Sequence, residues 1–147
     1  MLNEIIKYCQ IGAYLAASIG IIFTVFTYRN NTRIKRGEWL KDLFDKFYRE
    51  SNFITVRMVI EYNRMNTFLD IDTEGIPTNE ENEETLVNYL NFFEFISILI
   101  KRGHLRNDEV KDLFGYYLQT LNSQRFIKNY ISEFGFENLE TLLSRYE

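Results

Sequence analysis

The residues whose types and spacing come nearest to a metal-binding pattern lie in the acidic stretch 69–84. The carboxylates that fit the first, third, fifth and twelfth places of a calcium-binding loop are Asp70, Asp72, Glu74 and Glu81. Gly75 fits the sixth place, but Pro77 occupies the eighth, where the backbone of such a loop pairs with a second loop. The alternative, a solvated acidic linker, is the interpretation we favour, so no metal or other cofactor is expected.

Other residue sets that carry out chemistry are missing from the sequence. Cys9 and His104 are the one cysteine and the one histidine, and there is no zinc-binding spacing and no glycine-rich phosphate loop. His104 follows a predicted helix end, where a histidine is more often a capping or surface residue than a catalyst. The net charge of −4 does not favour nucleic-acid binding. We expect no enzymatic activity, no catalytic residue and no direct nucleic-acid contact.

The longest uncharged stretch of the chain runs from Tyr8 to Tyr28. As a helix it is about 30 Å long, the thickness of the hydrocarbon core of a bilayer. A buried core helix would show a polar face, and a cleavable signal peptide would have a basic start and a small-x-small cleavage site. The sequence therefore predicts a transmembrane segment in residues 1–28, followed by a cytoplasmic domain in residues 29–147.

Basic residues directly after this segment predict its orientation. They are Arg29, Arg33, Lys35 and Arg36. Because basic flanks remain in the cytoplasm, the N-terminus is expected outside and the domain inside. The same side chains are expected to contact anionic lipid head groups.

The predicted transmembrane helix has a face of small residues. The residues predicted to pack against another helix or to line a pore are Gln10, Ala13, Ala16, Ala17, Gly20, Thr24 and Thr27. Small residues four apart let two helices approach closely. Close packing matters in lipid because the hydrophobic effect does not drive helices together there. This face favours a homo-oligomer in the bilayer, and a lone anchor remains the alternative.

Apolar residues at helical spacing after Thr32 predict an all-α bundle of about five to six helices. The predicted helices are one from residue 32 onward, residues 53–68, a helix from residue 79 or 83 to residue 102, residues 107–122, a helix that starts after Ser123 and stops at Gly135, and residues 138–146. Glu94 lies alone in the middle of the most apolar helix, so it either faces solvent or is held by a basic partner. In the second case it is a structural key of the fold.

Three short motifs resemble the central motif of a family of small bacterial membrane-anchored helical proteins of unknown function. They are Leu90–Glu94, Lys101–Gly103 and Leu113–Tyr117. The same plan is similar to the membrane accessory proteins of type VI-B CRISPR systems. That resemblance implies antiphage defence at the bacterial inner membrane, an oligomeric pore, a degenerate HEPN-like domain and an RNA-guided RNase as partner.

The RNase signature of HEPN domains is not present in this sequence. It consists of an arginine, four to six further residues and a histidine, whereas no arginine occupies positions 97 to 99 before His104 and Arg102 is too close. The sequence thus predicts a membrane-anchored, homo-oligomerising effector that forms a pore or depolarises the membrane. The alternative is a membrane-tethered adaptor that recruits a cytosolic partner.

Overall fold

Helices make up most of the chain in this computed structural model, which describes residues 2–73 and 76–146, with side chains from residue 18 onward. The helices are α1 (Leu2–Arg49), α2 (Ser51–Glu61), α3 (Met65–Leu69), α4 (Glu80–Lys101), α5 (Asn107–Ser123), α6 (Arg125–Phe134) and α7 (Glu137–Leu143), and a 3-10 turn follows at Ser144–Tyr146. An isolated antiparallel bridge joins Ile71 to Pro77, and no strand is formed in the described ranges. The predicted all-α class is confirmed.

The contacts divide the chain into two compact units, residues 1–41 and 42–147. In the first unit α1 continues through Gly37, and the side chains of residues 18–35 are exposed. Among the residues that the structure describes, no helix is long and apolar enough to cross a membrane. The predicted segment Tyr8–Tyr28 begins ahead of the first described side chain.

The second unit is built around α4, as the dense apolar pattern of that helix predicts. Asn79 caps its start, because the Asn79 side-chain oxygen accepts the N–H of Asn82 at 3.1 Å. Gly103, with φ of +72°, ends it after Lys101. α4 packs against α2, α3 and α7, while α5 packs against α2, α6 and α7. Apolar residues on several sides of α4 are buried by these neighbours.

Phe47, in the last part of α1, is the centre of an aromatic cluster in the second unit. Its side chain is fully buried. The Phe47 ring centroid lies 4.8 Å from Tyr117, 5.1 Å from Phe114 and 5.5 Å from Phe92. Most of its aromatic neighbours meet it edge to face, the arrangement that the charge distribution of aromatic rings favours. This cluster joins α1, α4 and α5.

The predicted single helix over residues 53–68 is wrong, because the chain forms two helices there. α2 ends at Glu61, and Asn63 adopts φ of +51°. The N–H of Arg64 donates to the carbonyl of Val59 at 2.9 Å, and that of Asn63 to Ile60 at 3.1 Å. This is a Schellman-type helix end with asparagine in the left-handed position, and it accounts for one helix more than predicted.

Candidate functional site

Bulky apolar side chains are exposed along residues 18–28 of α1. Ile19, Ile22 and Phe26 are 67%, 69% and 69% exposed. On the small-residue face, a Cβ atom added to Gly20 would meet none of the described residues within 4 Å. The hydroxyl of Thr24 donates to the carbonyl of Gly20 at 2.8 Å, so this polar group is satisfied within its own helix.

The other residues of the predicted packing face are less fully described. Thr27 is exposed. Gln10, Ala13, Ala16 and Ala17 lie outside the residues whose side chains the structure describes. The basic flank follows on the same helix, where Arg29, Arg33 and Lys35 are exposed and Arg36 is half-buried.

The acidic loop folds on itself through its own hydrogen bonds. A carboxylate oxygen of Asp72 accepts the backbone N–H of Ile76 at 2.8 Å, and the hydroxyl of Thr78 donates to the carbonyl of Asp70 at 2.6 Å. Asp70 itself has φ of +50° and ends α3. Glu74 lies outside the described residues, and Glu81 lies in the first turn of α4. No group of three or more potential metal ligands is found in the described part of the chain.

Glu94 binds the N-terminus of another helix, which neither sequence alternative foresaw. One carboxylate oxygen accepts the backbone N–H of Leu139 at 2.6 Å. The other accepts the side-chain amide of Asn138 at 2.6 Å. A carboxylate in this position satisfies N–H groups that have no partner within α7 and complements the helix dipole. Glu94 is therefore half-buried and paired with backbone and amide donors of α7 instead of a basic residue.

His104 lies at the helix end that the sequence predicts for it. Its backbone N–H donates to the carbonyl of Leu99 at 2.9 Å, and its side chain is exposed. The preceding Gly103 supplies the left-handed conformation of this helix end. His104 thus lies at the capped C-terminal end of α4, where its backbone N–H bonds a carbonyl of the last helical turn.

Arg57 of α2 is a residue that the sequence analysis missed. Its guanidinium carbon lies 4.8 Å from the ring centroid of Phe47, 4.9 Å from Tyr48 and 5.5 Å from Tyr117. A guanidinium group over aromatic faces is attracted by the charge distribution of the rings. Helical spacing alone gives no signal for this contact, because the three rings come from α1 and α5.

Two tyrosines hold their protons more strongly than a free tyrosine does. Burial raises the pKa of Tyr89 well above its ordinary value. Burial also raises the pKa of Tyr130, and its hydroxyl donates to Glu83 at 2.7 Å, which adds to the effect. The Tyr130–Glu83 bond links α6 to the start of α4. Both groups are neutral structural elements at neutral pH.

Together these features define an all-α protein with an exposed apolar and basic N-terminal helix and an aromatic-centred helical unit. The chain belongs to the family described as Domain of unknown function (DUF4760), whose model matches residues 14–146. The match spans both compact units. Comparison with curated proteins gives no match, and comparison with solved structures gives none either.

Proposed function

We propose that the protein is a membrane-anchored effector whose N-terminal helix lies in a bilayer and associates with copies of itself. The observation that carries the proposal is the uncovered apolar surface of α1. Ile21 and Val25 share one face of the helix and are 65% and 51% exposed, and Phe23 on the opposite side is 69% exposed. Apolar surface of this extent marks a site that contacts lipid or another protein.

The basic flank supports one orientation of this helix. Arg29, Arg33 and Lys35 follow the apolar segment directly and are exposed. Basic residues next to a membrane helix remain on the cytoplasmic side. In the proposed arrangement residues 29–147 are cytoplasmic, and the membrane is the bacterial inner membrane.

The small-residue face supports self-association. Since a Cβ atom at Gly20 would meet none of the described residues within 4 Å, no contact in the described part of the chain requires a glycine here. Thr24 satisfies its own hydroxyl, so it can lie in an apolar interface at little cost. In a close contact between the α1 helices of two copies, Gly20 would allow the backbones to approach and Thr24 would pack in the interface.

The cellular setting of the proposed effector comes from the sequence resemblance alone. On that basis we place it in antiphage defence, with an RNA-guided RNase as partner and pore formation or depolarisation as the outcome. The proposal includes no enzymatic activity, because we find no catalytic set of groups among the described side chains.

Dye leakage from vesicles carrying the full chain tests the effector. Gly20→Leu adds bulk to the small-residue face, and Ile22→Leu makes a near-isosteric change on the opposite side of the same helix turn. We expect leakage from the wild type and from Ile22→Leu, and its loss in Gly20→Leu. Vesicles that stay sealed with the wild-type chain would contradict the proposal, as would equal leakage in all three.

A second candidate, a membrane-tethered adaptor, is favoured by one surface of the second unit. Ile54 and Met58 of α2 and Tyr62, directly after its end, follow one another at intervals of four residues and are 38%, 53% and 63% exposed. This apolar stripe suits a protein partner. Replacing residues 8–28 by a leucine helix separates the two functions. An effector loses leakage on the exchange, whereas an adaptor leaves vesicles sealed with either helix.

A further inference from the structure

A cleft of about 170 Å³ lies between the end of α4 and the C-terminal segment formed by α7 and the following 3-10 turn. It belongs entirely to the second compact unit. Its apolar lining includes Ile100 and Leu142, and its polar lining comes from both segments. None of its lining residues belongs to α1.

Two cations line the cleft from opposite segments, Lys101 from α4 and Arg145 from the 3-10 turn. The spacing of the sequence places them there. Lys101 is one helical turn after Ser97, and Arg145 is one turn after Thr141, so each cation shares its face with a hydroxyl group that also lines the cleft. The two helix faces thus bring two positive charges and two hydroxyls to one small volume.

Among the residues that the structure describes, no acidic side chain lines this cleft. Neither Lys101 nor Arg145 forms an ion pair with any residue that the structure describes. Glu94 is linked to the cleft through Asn138, but its carboxylate already accepts bonds from Asn138 and Leu139. The positive charge of the cleft is therefore not neutralised by the described residues of the chain.

The donors of the two cations are largely unused. The ammonium group of Lys101 donates to the side-chain oxygen of Asn138 at 3.0 Å. Because Asn138 is itself fixed on Glu94, this bond holds Lys101 beside the cleft and leaves two further ammonium protons. Arg145 supplies up to five N–H donors in a planar fork.

We propose that this cleft binds a phosphate group, either of a small soluble phosphate or of an anionic lipid head group. Two cations from different helices match a doubly charged oxoanion better than a single carboxylate. Lysine supplies a point charge, and arginine bonds two oxygens of the same group through its fork. The inference does not depend on the proposed function, since every residue of the cleft lies in the second unit.

The thermal unfolding midpoint of the full chain in a nonionic detergent tests the site. Inorganic phosphate and glycerol 3-phosphate are the soluble probes, with sodium chloride at matched ionic strength as reference. Dioctanoyl phosphatidic acid is the lipid probe, with dioctanoyl phosphatidylcholine as reference. A ligand that binds only the folded chain raises the midpoint with concentration.

Lys101→Gln and Arg145→Gln remove the two cations singly, and Arg102→Gln is the matched control. Arg102 is exposed at the end of α4, directly beside Lys101, and does not line the cleft. We expect phosphate to raise the midpoint of the wild type and of Arg102→Gln. Each cleft variant is expected to bind about tenfold more weakly or worse, as the loss of one charged hydrogen bond predicts.

The probes distinguish the sources of the phosphate group. A rise with inorganic phosphate or glycerol 3-phosphate assigns the cleft to a soluble phosphate. A rise with phosphatidic acid alone, absent with phosphatidylcholine, assigns it to a lipid head group. Equal rises in the wild type and both cleft variants, or no rise with any probe, would overturn the proposal. Calorimetric titration of phosphate into the variants gives the same comparison without relying on their melting.

Discussion

The carboxylate of Glu94 in α4 accepts the backbone N–H of Leu139 in α7 at 2.6 Å. The two residues lie far apart in sequence, yet this bond, with the adjacent bond from Asn138, fixes where the last α-helix begins on the central one. α4 and α7 also pack directly against each other. The start of α7 is therefore capped by a charged side chain of α4, so the position of this helix end depends on the packing of the two helices.

Substitution of Glu94 tests the energetic weight of this cap. Glu94→Gln keeps the size of the side chain but replaces one accepting oxygen by an NH₂ group, so only one of the two bonds, from Leu139 or from Asn138, can remain. We expect the free energy of unfolding to fall by about 1–3 kcal/mol, the range for bonds to a charged group. Urea denaturation of the full chain in detergent measures it. Glu133→Gln, on the exposed face of α6, is the control, and equal losses in the two variants would contradict this role.

Phe47 and Phe44 form a matched pair on the same helix, one fully buried and the other 40% exposed. Phe47→Ala empties the centre of the aromatic cluster and should lower the free energy of unfolding by about 3–5 kcal/mol. Phe44→Ala should cost about 1 kcal/mol, because only its contact with Tyr48 and part of its burial are lost. Similar losses in the two variants, measured by urea denaturation, would show that Phe47 is not the centre of the core.

Substitution of glycine by alanine is expected to change the stability of the fold in opposite directions at Gly115 and Gly103. Gly115 lies within α5, and an added Cβ atom would meet Lys111 Cγ at 3.4 Å and Tyr146 Cε1 at 3.8 Å, which are ordinary contacts. Gly115→Ala should therefore stabilise the fold by about 0.5–1 kcal/mol through helix propensity. Gly103→Ala should destabilise it by about 1 kcal/mol or more, since its φ is +72°. A thermal shift of the same sign in both variants would contradict this assignment.

The buried tyrosines predict a loss of stability in alkali. Because burial raises the pKa of Tyr89, the folded chain keeps this proton at a pH where the unfolded chain has lost it. The contribution of Tyr89 is fully present below about pH 10 and is lost as the pH rises further, by up to about 1.4 kcal/mol per pH unit. Tyr89→Phe should reduce the difference in unfolding free energy between about pH 8 and about pH 11. Tyr116→Phe, which removes an exposed hydroxyl, should leave that difference unchanged.

Local signals in the sequence were sufficient for most helix boundaries of the second unit. Asn79, one of the two starts predicted for α4, caps that helix, and Gly103 and Gly135 mark the ends of α4 and α6, because caps and left-handed glycines act through neighbouring residues. Asn63 carries the same kind of signal, but asparagine occurs in many other settings and the helix end was missed. When the apolar pattern continues past a residue, the helix propensity of that one residue is too weak a signal to predict a helix end.

Contacts between helices were not predictable from spacing. Glu94 was recognised as unusual from its apolar surroundings, but its partner is a backbone N–H group in α7, which has no sequence signature. Arg57 lies over rings from α1 and α5, and the cleft of Lys101 and Arg145 joins α4 to the end of the chain. Each of these contacts depends on how the helices pack, and helical periodicity gives no information on distances between helices.

The mass of the full chain in detergent tests the proposed self-association most directly. Light scattering corrected for bound detergent compares it with the monomer mass of 17.7 kDa. We predict one discrete assembly larger than a dimer for the wild type and for Ile22→Leu, and a smaller species for Gly20→Leu, whose added side chain separates the helices. A monomeric wild type would contradict the account and leave α1 as a simple anchor for an adaptor.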